Sequence, residues 1–268
     1  MHNTTVLYMG MSTSKNTIDW YNENADKYSD HVNSPDESPH HTYYEKPAIR
    51  AELPDLEGKK VLTLGCGNGR ECRFIKDQGA EHVVGIDVSE KLIDIAKSSH
   101  DDIDFQVMGM EKLDFEYDSF DLIYSSLAVH YVLGGLGEVF HEAYRVLKPG
   151  GLLLFSDGHP IGSALELVQD DESTKRRALE IIKNKAEDIE TIHGDYLTSR
   201  TVNGGVDFSV EFWHQPISIT VNQLVEAGFV IEKMIEPLPQ EGFKKVSPRL
   251  YERLSRLPDF MIFKARKP

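Results

Sequence analysis

Val61-Leu62-Thr63-Leu64-Gly65-Cys66-Gly67-Asn68-Gly69-Arg70-Glu71 passes from an apolar run through three closely spaced glycines into a charged segment. Residues 61–64 read as a short buried strand, 65–69 as a turn, and 71–78 as a helix stopped by Gly79. A glycine-rich turn between a parallel strand and a helix lets the backbone come close to a ligand. Three glycines at spacing two favour a ligand over a bare tight turn. The nicotinamide fingerprint G-x-G-x-x-G is not met, because Arg70 stands where its last glycine belongs. No Gly-Lys-Ser/Thr follows, so the phosphate-loop pattern fails as well.

On either side of this stretch, apolar periodicity predicts further strands at 82–86, 103–107, 120–125 and 152–155. Helices fall between them at 89–98, with Ser89 as N-cap, and at 136–146 before Lys148-Pro149-Gly150-Gly151. Upstream, 19–28 reads as a helix capped by Asp19, with Ile18, Tyr21, Ala25 and Tyr28 on one face. Residues 29–41 read as loop, and Pro47 suits the first turn of a helix ending near Pro54. After Asp157 the pattern changes. Residues 172–190 read as a long charged helix, and 196–202 and 206–213 as a hairpin around Asn203-Gly204-Gly205. In its second strand Val206, Phe208, Val210 and Phe212 alternate with polar residues. A helix at 220–227 and strands at 229–235 and 260–264 close the chain. Strands alternating with helices predict an α/β protein. Its sheet is doubly wound, seven-stranded and mostly parallel, with an inserted helix-plus-hairpin lid.

A second motif follows at Val83-Val84-Gly85-Ile86-Asp87-Val88-Ser89. It puts an acidic residue at the end of the second strand, 18 positions after Gly69. A carboxylate there can accept two ribose hydroxyls. Alone, Asp87 would read as a helix cap or a solvated loop residue; the paired spacing favours the ribose.

With these motifs, the chain resembles the class I S-adenosylmethionine-dependent methyltransferases of the small-molecule, methyltransferase-11-like branch. The resemblance rests on VLTLGCGNG, VVGIDVS, Gln106-Val107-Met108-Gly109-Met110-Glu111-Lys112-Leu113, FDLIYSSLAVHYV at 120–132 and LKPGGLLLFSD at 147–157. It implies a Rossmann-like methyltransferase fold and S-adenosylmethionine as cofactor. Gly65, Gly67 and Gly69, with Cys66 in the same turn, would line the cofactor's amino-acid end. Asp87 would hold the ribose, Val88 would pack on the adenine, and Met110 and Glu111 would face the adenine edge. Ser125, Ser126 and Leu127 would lie near the sulfonium, and Tyr21 and Tyr28 would cap the site. The implied organisation is an N-terminal tail and cap helix at 1–45 and a cofactor-binding core at 46–157. An inserted lid at 158–215 and a C-terminal helix with the last strands at 216–268 complete it. Two positions depart from the resemblance. Thr63 stands where an acidic residue commonly helps hold the cofactor's amino group. Gly109 stands where Asp is frequent, which moves the adenine amino contact to other groups, such as the backbone near Met110 and Glu111.

Methyl transfer needs mainly proximity in a dry site; a general base is required only for an acceptor protonated at neutral pH. His130, after the fourth strand, is the leading base candidate, and a packed or capping histidine is the alternative reading. His159 follows the fifth strand at the same rim, and His214 follows the hairpin. Tyr43, Tyr44, Phe212 and Trp213 would line an acceptor pocket or pack lid on sheet. Cys66 and Cys72 lack a second ligand pair, so no metal is expected.

Lys and Arg number 29 against 44 Asp and Glu, a net charge of −15 that disfavours nucleic-acid phosphates. The exception is the last 26 residues, with a net +6. They support a rival reading as a tRNA-modifying methyltransferase; a second rival is a cofactor-binding regulator without transfer activity, for which Thr63 speaks. Two cysteines exclude a disulfide scaffold, and no apolar run is long enough to span a membrane. The cytoplasm is the expected compartment, and the acceptor and oligomeric state are not legible.

Overall fold

The computed structural model describes residues 12–34, 38–169, 175–184, 189–204 and 210–268. Two short helices open it, α1 (Lys15–Glu23) and α2 (Ala25–Asn33). They replace the expected single helix at 19–28. Ser14 caps α1 by accepting the Thr17 N–H at 3.2 Å, while Asp19 pairs with Lys15. Asn24 leaves helical dihedrals and donates its side chain to the Trp20 carbonyl, which divides the two helices. A π-turn, His41–Glu45, leads into α3 (Lys46–Arg50), so the region expected as loop is largely helical at both ends.

The core then runs β1 (Lys60–Leu64), α4 (Arg70–Asp77), β2 (His82–Asp87), α5 (Glu90–Ser99), β3 (Asp104–Val107), β4 (Phe120–Ser125), α6 (Gly137–Val146) and β5 (Leu147–Gly158). A short 3₁₀ turn, Val129–Tyr131, follows β4. An insertion carries α7 (Pro160–Ala164), β6 (Glu166–Gln169), β7 (Lys175–Ala178), β8 (Glu180–Asn184), β9 (Ile189–His193), β10 (Arg200–Gly204) and β11 (Val210–His214). The chain finishes with α8 (Ile217–Glu226), β12 (Val230–Ile235), α9 (Glu241–Val246), α10 (Pro248–Leu254) and β13 (Phe260–Arg266).

Seven strands form one sheet in the order β12-β13-β5-β4-β1-β2-β3. β1 pairs in parallel with β2 and β4, while β13 runs antiparallel to both β5 and β12. The period-2 alternation of buried strands sorts side chains onto two faces. Leu62, Leu64, Ile123 and Phe155 pack under Val139 and Phe140 of α6. Val61, Leu122 and Leu154 pack against Cys72 and Ile75 of α4 and Ile93 of α5. The strand order reverses between β1 and β4, which opens a crevice beyond their carboxyl ends.

The insertion corrects the expectation of a long helix at 172–190. Its described residues form strands: β6 pairs with β7, and β8 with β9, both antiparallel. Charge density suggested a solvated helix. Ile181 and Ile192 lie directly across from each other, and such β-branched residues suit a ladder. The third hairpin is present as β10 and β11, with Asn203 and Gly204 inside the first strand and Gly204 opposite Val210. Val206, Phe208 and Gly205 lie outside the described residues. No helix of the described residues is long and apolar enough to cross a membrane.

Candidate active site

The glycine turn leaves β1 at the crevice, and its three glycines do different jobs. A Cβ on Gly65 would lie 2.2 Å from Ala128 Cβ, so this position permits close approach to the strand-β4 loop. A Cβ on Gly69 would meet Phe105 at 2.8 Å, where α4 packs on the sheet. Only above Gly67 is there room: the nearest atom, on Tyr28, would be 3.7 Å away, and φ is +54°. Gly67 thus presents bare backbone to a cleft.

That cleft has two lobes that share Tyr28, Gly65, Gly67 and Ser126. The larger, about 600 Å³, is walled by Asp87, Val88, Leu92, Met108, Met110 and Tyr131, among others. Asp87 Oδ2 accepts the Gly67 N–H and Oδ1 the Ser89 N–H, both at 2.9 Å. Burial pushes the Asp87 carboxyl up, against these backbone donors. Ser89 in turn caps α5 through the Leu92 N–H and donates to Asn22 of α1 at 2.8 Å. Tyr21 donates its hydroxyl to Tyr131 at 2.8 Å and stands edge-on to Tyr28, so the N-terminal helices roof this lobe. The Thr17 hydroxyl, also on the wall, accepts the Glu211 N–H and ties the roof to β11.

The smaller lobe, about 420 Å³, is polar: Thr63, Asn68, Arg70, Glu71 and Lys46 line it with Cys66 and Val32. Glu71 is buried and accepts from Lys46 at 2.8 Å, Arg50 at 2.7 Å and the Tyr124 hydroxyl at 3.1 Å. Burial opposes its charge, yet Lys46 and Arg50 hold the carboxyl down at about 2. Glu45, fully buried and adjacent in sequence to Lys46, accepts from the Ser126 hydroxyl at 2.9 Å and from Ser156. Burial pushes Glu45 up to about 7. The Ser156 hydroxyl also accepts the Leu127 N–H at 2.9 Å. Leu127 stands at φ +51°, a left-handed conformation that non-glycine residues adopt uncommonly.

Most of the residues singled out in the sequence converge here: Tyr21, Tyr28, Gly65, Gly67, Asp87, Val88, Met110 and Leu127 line the larger lobe, and Cys66 the smaller. Ser125 does not; it is fully buried and donates to the Leu64 carbonyl, and Ser126 takes the exposed place. Glu111 lies off the lining, its Oε2 filling the space next to Gly109 where a side chain would stand, 2.6 Å from the Cβ position. Of the histidines, His130 has Nδ1 3.4 Å from Asp157 and its ring against Tyr131 and Phe212. His159 has both nitrogens engaged, one capping Ile161 N–H of α7 and one on Glu236. His214 is likewise held by Ser163 and the Tyr196 carbonyl. Tyr44 is buried with Phe243 and Leu254, and Tyr43 packs on Gly242, so neither borders the cleft. Sequence reading missed Lys46, Glu45 and Glu71, which are brought together only by the tertiary fold.

The basic C-terminal segment is largely neutralised. Five of its eight cations, Arg253, Arg256, Lys264, Arg266 and Lys267, pair with carboxylates.

Fold and cleft define a nucleoside-binding α/β protein, and comparison with known proteins narrows it. Residues 62–155 match the family described as Methyltransferase domain. The crystal structure of an S-adenosylmethionine-dependent methyltransferase from Mesorhizobium loti is 35% identical. The match covers 83% of this chain and 97% of that one, with a TM-score of 0.67. An uncharacterised protein of Haemophilus influenzae is 28% identical over 83% of this chain and 87% of its own. Phosphoethanolamine N-methyltransferase of Plasmodium falciparum is 29% identical over 66% of each chain. The chain belongs to the S-adenosylmethionine-dependent methyltransferases. Its cofactor is S-adenosylmethionine, and the cleft fits that molecule: a carboxylate at the end of β2, an apolar slot beside it, open backbone at Gly67 and a charged lobe beyond.

Proposed function

We propose that the protein transfers a methyl group to a small-molecule acceptor, with the cofactor lying across the glycine turn. The observation that carries this reading is the pair of lobes joined at Gly67 and Ser126. The cofactor's sulfonium supplies an activated methyl group and a neutral leaving group. Asp87 would accept the ribose hydroxyls while keeping its bonds to the turn. Val88, Met108 and Met110 would enclose the adenine, and Ser126, Leu127 and Ala128 would border the methyl position. The Tyr21–Tyr131 bond would hold the roof over the bound cofactor and limit the entry of water.

The insertion would form the acceptor's outer wall, since β11 brings Phe212 against His130 at the rim of β4. His130, facing Asp157, would take a proton from an acceptor that is protonated at neutral pH. His159 would serve the wall as a helix cap rather than as a base. One relative is named for a small molecule, phosphoethanolamine, which supports a compact acceptor without fixing the accepting atom. The paired C-terminal cations and the net charge of −15 speak against a tRNA substrate.

The test is methyl transfer from labelled cofactor to a panel of small amines, phenols and carboxylic acids. With an acceptor found, His130→Ala should lower kcat/KM by about 10²–10⁴-fold while cofactor binding holds. An undiminished rate with that acceptor removes His130 from the chemistry.

A further inference from the structure

Glu45 ends the π-turn and is shut off from solvent. Among the described residues its bonds come from two hydroxyls, Ser126 and Ser156, and both reach Oε1. Oε2 is buried with no hydrogen-bond partner among the described residues. The charged and titratable groups around Glu45 are Lys46 and Arg50 of α3, Glu71 of α4, Tyr28 of α2 and Tyr124 of β4. Both cations are engaged by Glu71, Lys46 at 2.8 Å and Arg50 at 2.7 Å. His41, on the same π-turn, is held neutral by burial and by Lys46, which lower it to about 3. Asp157, next to Ser156 on β5, faces His130 instead. Glu45 is therefore a buried acid without a counter-ion. Ionising it there is costly until a cation comes near.

Ser126 donates to Glu45 and borders both lobes where they meet, and Ser156 holds the Leu127 N–H on the wall of the larger lobe. Glu45 thus stands one hydroxyl behind the strip of wall that would border the methyl position. We infer that Glu45 is the counter-ion of the cofactor's sulfonium: it is ionised while S-adenosylmethionine is bound, and protonated when the site is empty or holds S-adenosylhomocysteine. The inference rests on the placement of the cofactor across the glycine turn. When the sulfonium docks, the Glu45 O–H bond breaks and its proton goes to solvent. Methyl transfer leaves a neutral sulfide. The carboxylate then lacks a counter-ion again and takes up a proton from solvent. The consequence is discrimination, because the ionised acid favours the cofactor over the spent product. Burial raises the Glu45 carboxyl from 4.5 to about 7 in the empty protein. Below that pH the sulfonium must displace a proton to bind, so the preference for cofactor grows as pH rises towards about 7 and levels off above it.

Calorimetry at about pH 6.5, in buffers of low and high ionisation enthalpy, counts the protons. S-adenosylmethionine should release about half to one proton per molecule bound, as a group titrating at about 7 requires, and S-adenosylhomocysteine close to none. Between about pH 5.5 and 7.5 the affinity ratio of the two should rise several-fold in favour of S-adenosylmethionine. Glu45→Gln, which can still accept from both serines, should abolish the release and flatten the ratio. If that variant does not fold by circular dichroism, infrared difference spectra of the wild type take its place. The carbonyl band of a protonated carboxyl should vanish with S-adenosylmethionine and persist with S-adenosylhomocysteine; Asp87 meets the same ribose in both complexes and cancels. Equal proton release with the two ligands, none with either, release that survives in Glu45→Gln, or a band that is the same in both complexes overturns the inference. Failure of the wild-type protein to bind either ligand would instead overturn the cofactor placement beneath it.

Discussion

The two lobes meet at Gly67 but are assembled on different terms. On the Asp87 side the wall is made of the ends of the sheet: Asp87 closes β2, Ser89 starts α5, and Met108 and Met110 follow β3. On the Lys46 side the wall arrives from elsewhere: Lys46 from the segment before the sheet, Tyr28 and Val32 from α2, and Glu71 from the first turn of α4. The first side has one carboxylate, tied to two backbone amides. The second has two buried carboxylates behind it with opposite tendencies, Glu71 held down at about 2 and Glu45 raised to about 7. A parallel sheet therefore provides a nucleoside site almost by its topology, while recognition of the rest of a ligand is added by segments packed onto it.

The largest effect is expected at the junction. Gly67→Val places a branched side chain at φ +54° in the space both lobes share. It should cost more than a hundredfold in S-adenosylhomocysteine affinity with the far-ultraviolet circular dichroism unchanged. Retained affinity would mean that the turn does not touch the ligand.

Asp87→Ala comes next. Each charge-assisted hydrogen bond is worth about 1.5–3 kcal/mol, so binding should weaken at least tenfold. The loss should be equal for S-adenosylhomocysteine and methylthioadenosine, because both carry the ribose. A loss confined to the former would put Asp87 on the wrong side of the junction.

The smallest effect is on stability. The Glu45 carboxyl, raised from 4.5 to about 7 on folding, keeps a proton that the unfolded chain gives up in that window. Its contribution is therefore lost as pH rises from about 4.5 to 7, on the order of 1–3 kcal/mol. Glu71 has the opposite sign: its contribution is present above 4.5 and lost as pH falls towards 2. In urea titrations Glu45→Gln should flatten the decline between pH 5 and 8 relative to wild type, and Glu71→Gln should not. Parallel profiles for wild type and Glu45→Gln would show that Glu45 is charged in the folded protein across that range.

The Asp87 lobe was legible because its residues sit where strands end, and strand ends follow from periodicity. β4 was expected at 120–125 and is found there, and Ser89 caps its helix as read. Even so, strand parity was needed to see that Ser125 points into the core and Ser126 into the cleft. The Lys46 lobe was not legible. Lys46 meets Glu71, and Glu45 meets Ser126 and Ser156, across long stretches of chain, with no local pattern to announce either contact. The sequence shows Thr63 as a neutral residue, but its unpartnered hydroxyl is a property of the packed wall. In the insertion, charge density argues for a solvated helix, but the β-branched Ile181, Ile182 and Ile192 suit the β8–β9 ladder found there.

If one ligand lies across Gly67 and touches both lobes, hydrogen exchange followed by mass spectrometry, with and without S-adenosylhomocysteine, reads both contacts at once. Peptides covering 63–71, 87–92 and 125–128 should exchange several-fold more slowly in the complex, while those covering 175–184 and 189–204 should not change. Protection on the Asp87 side with none at 63–71 would contradict a ligand that touches both lobes.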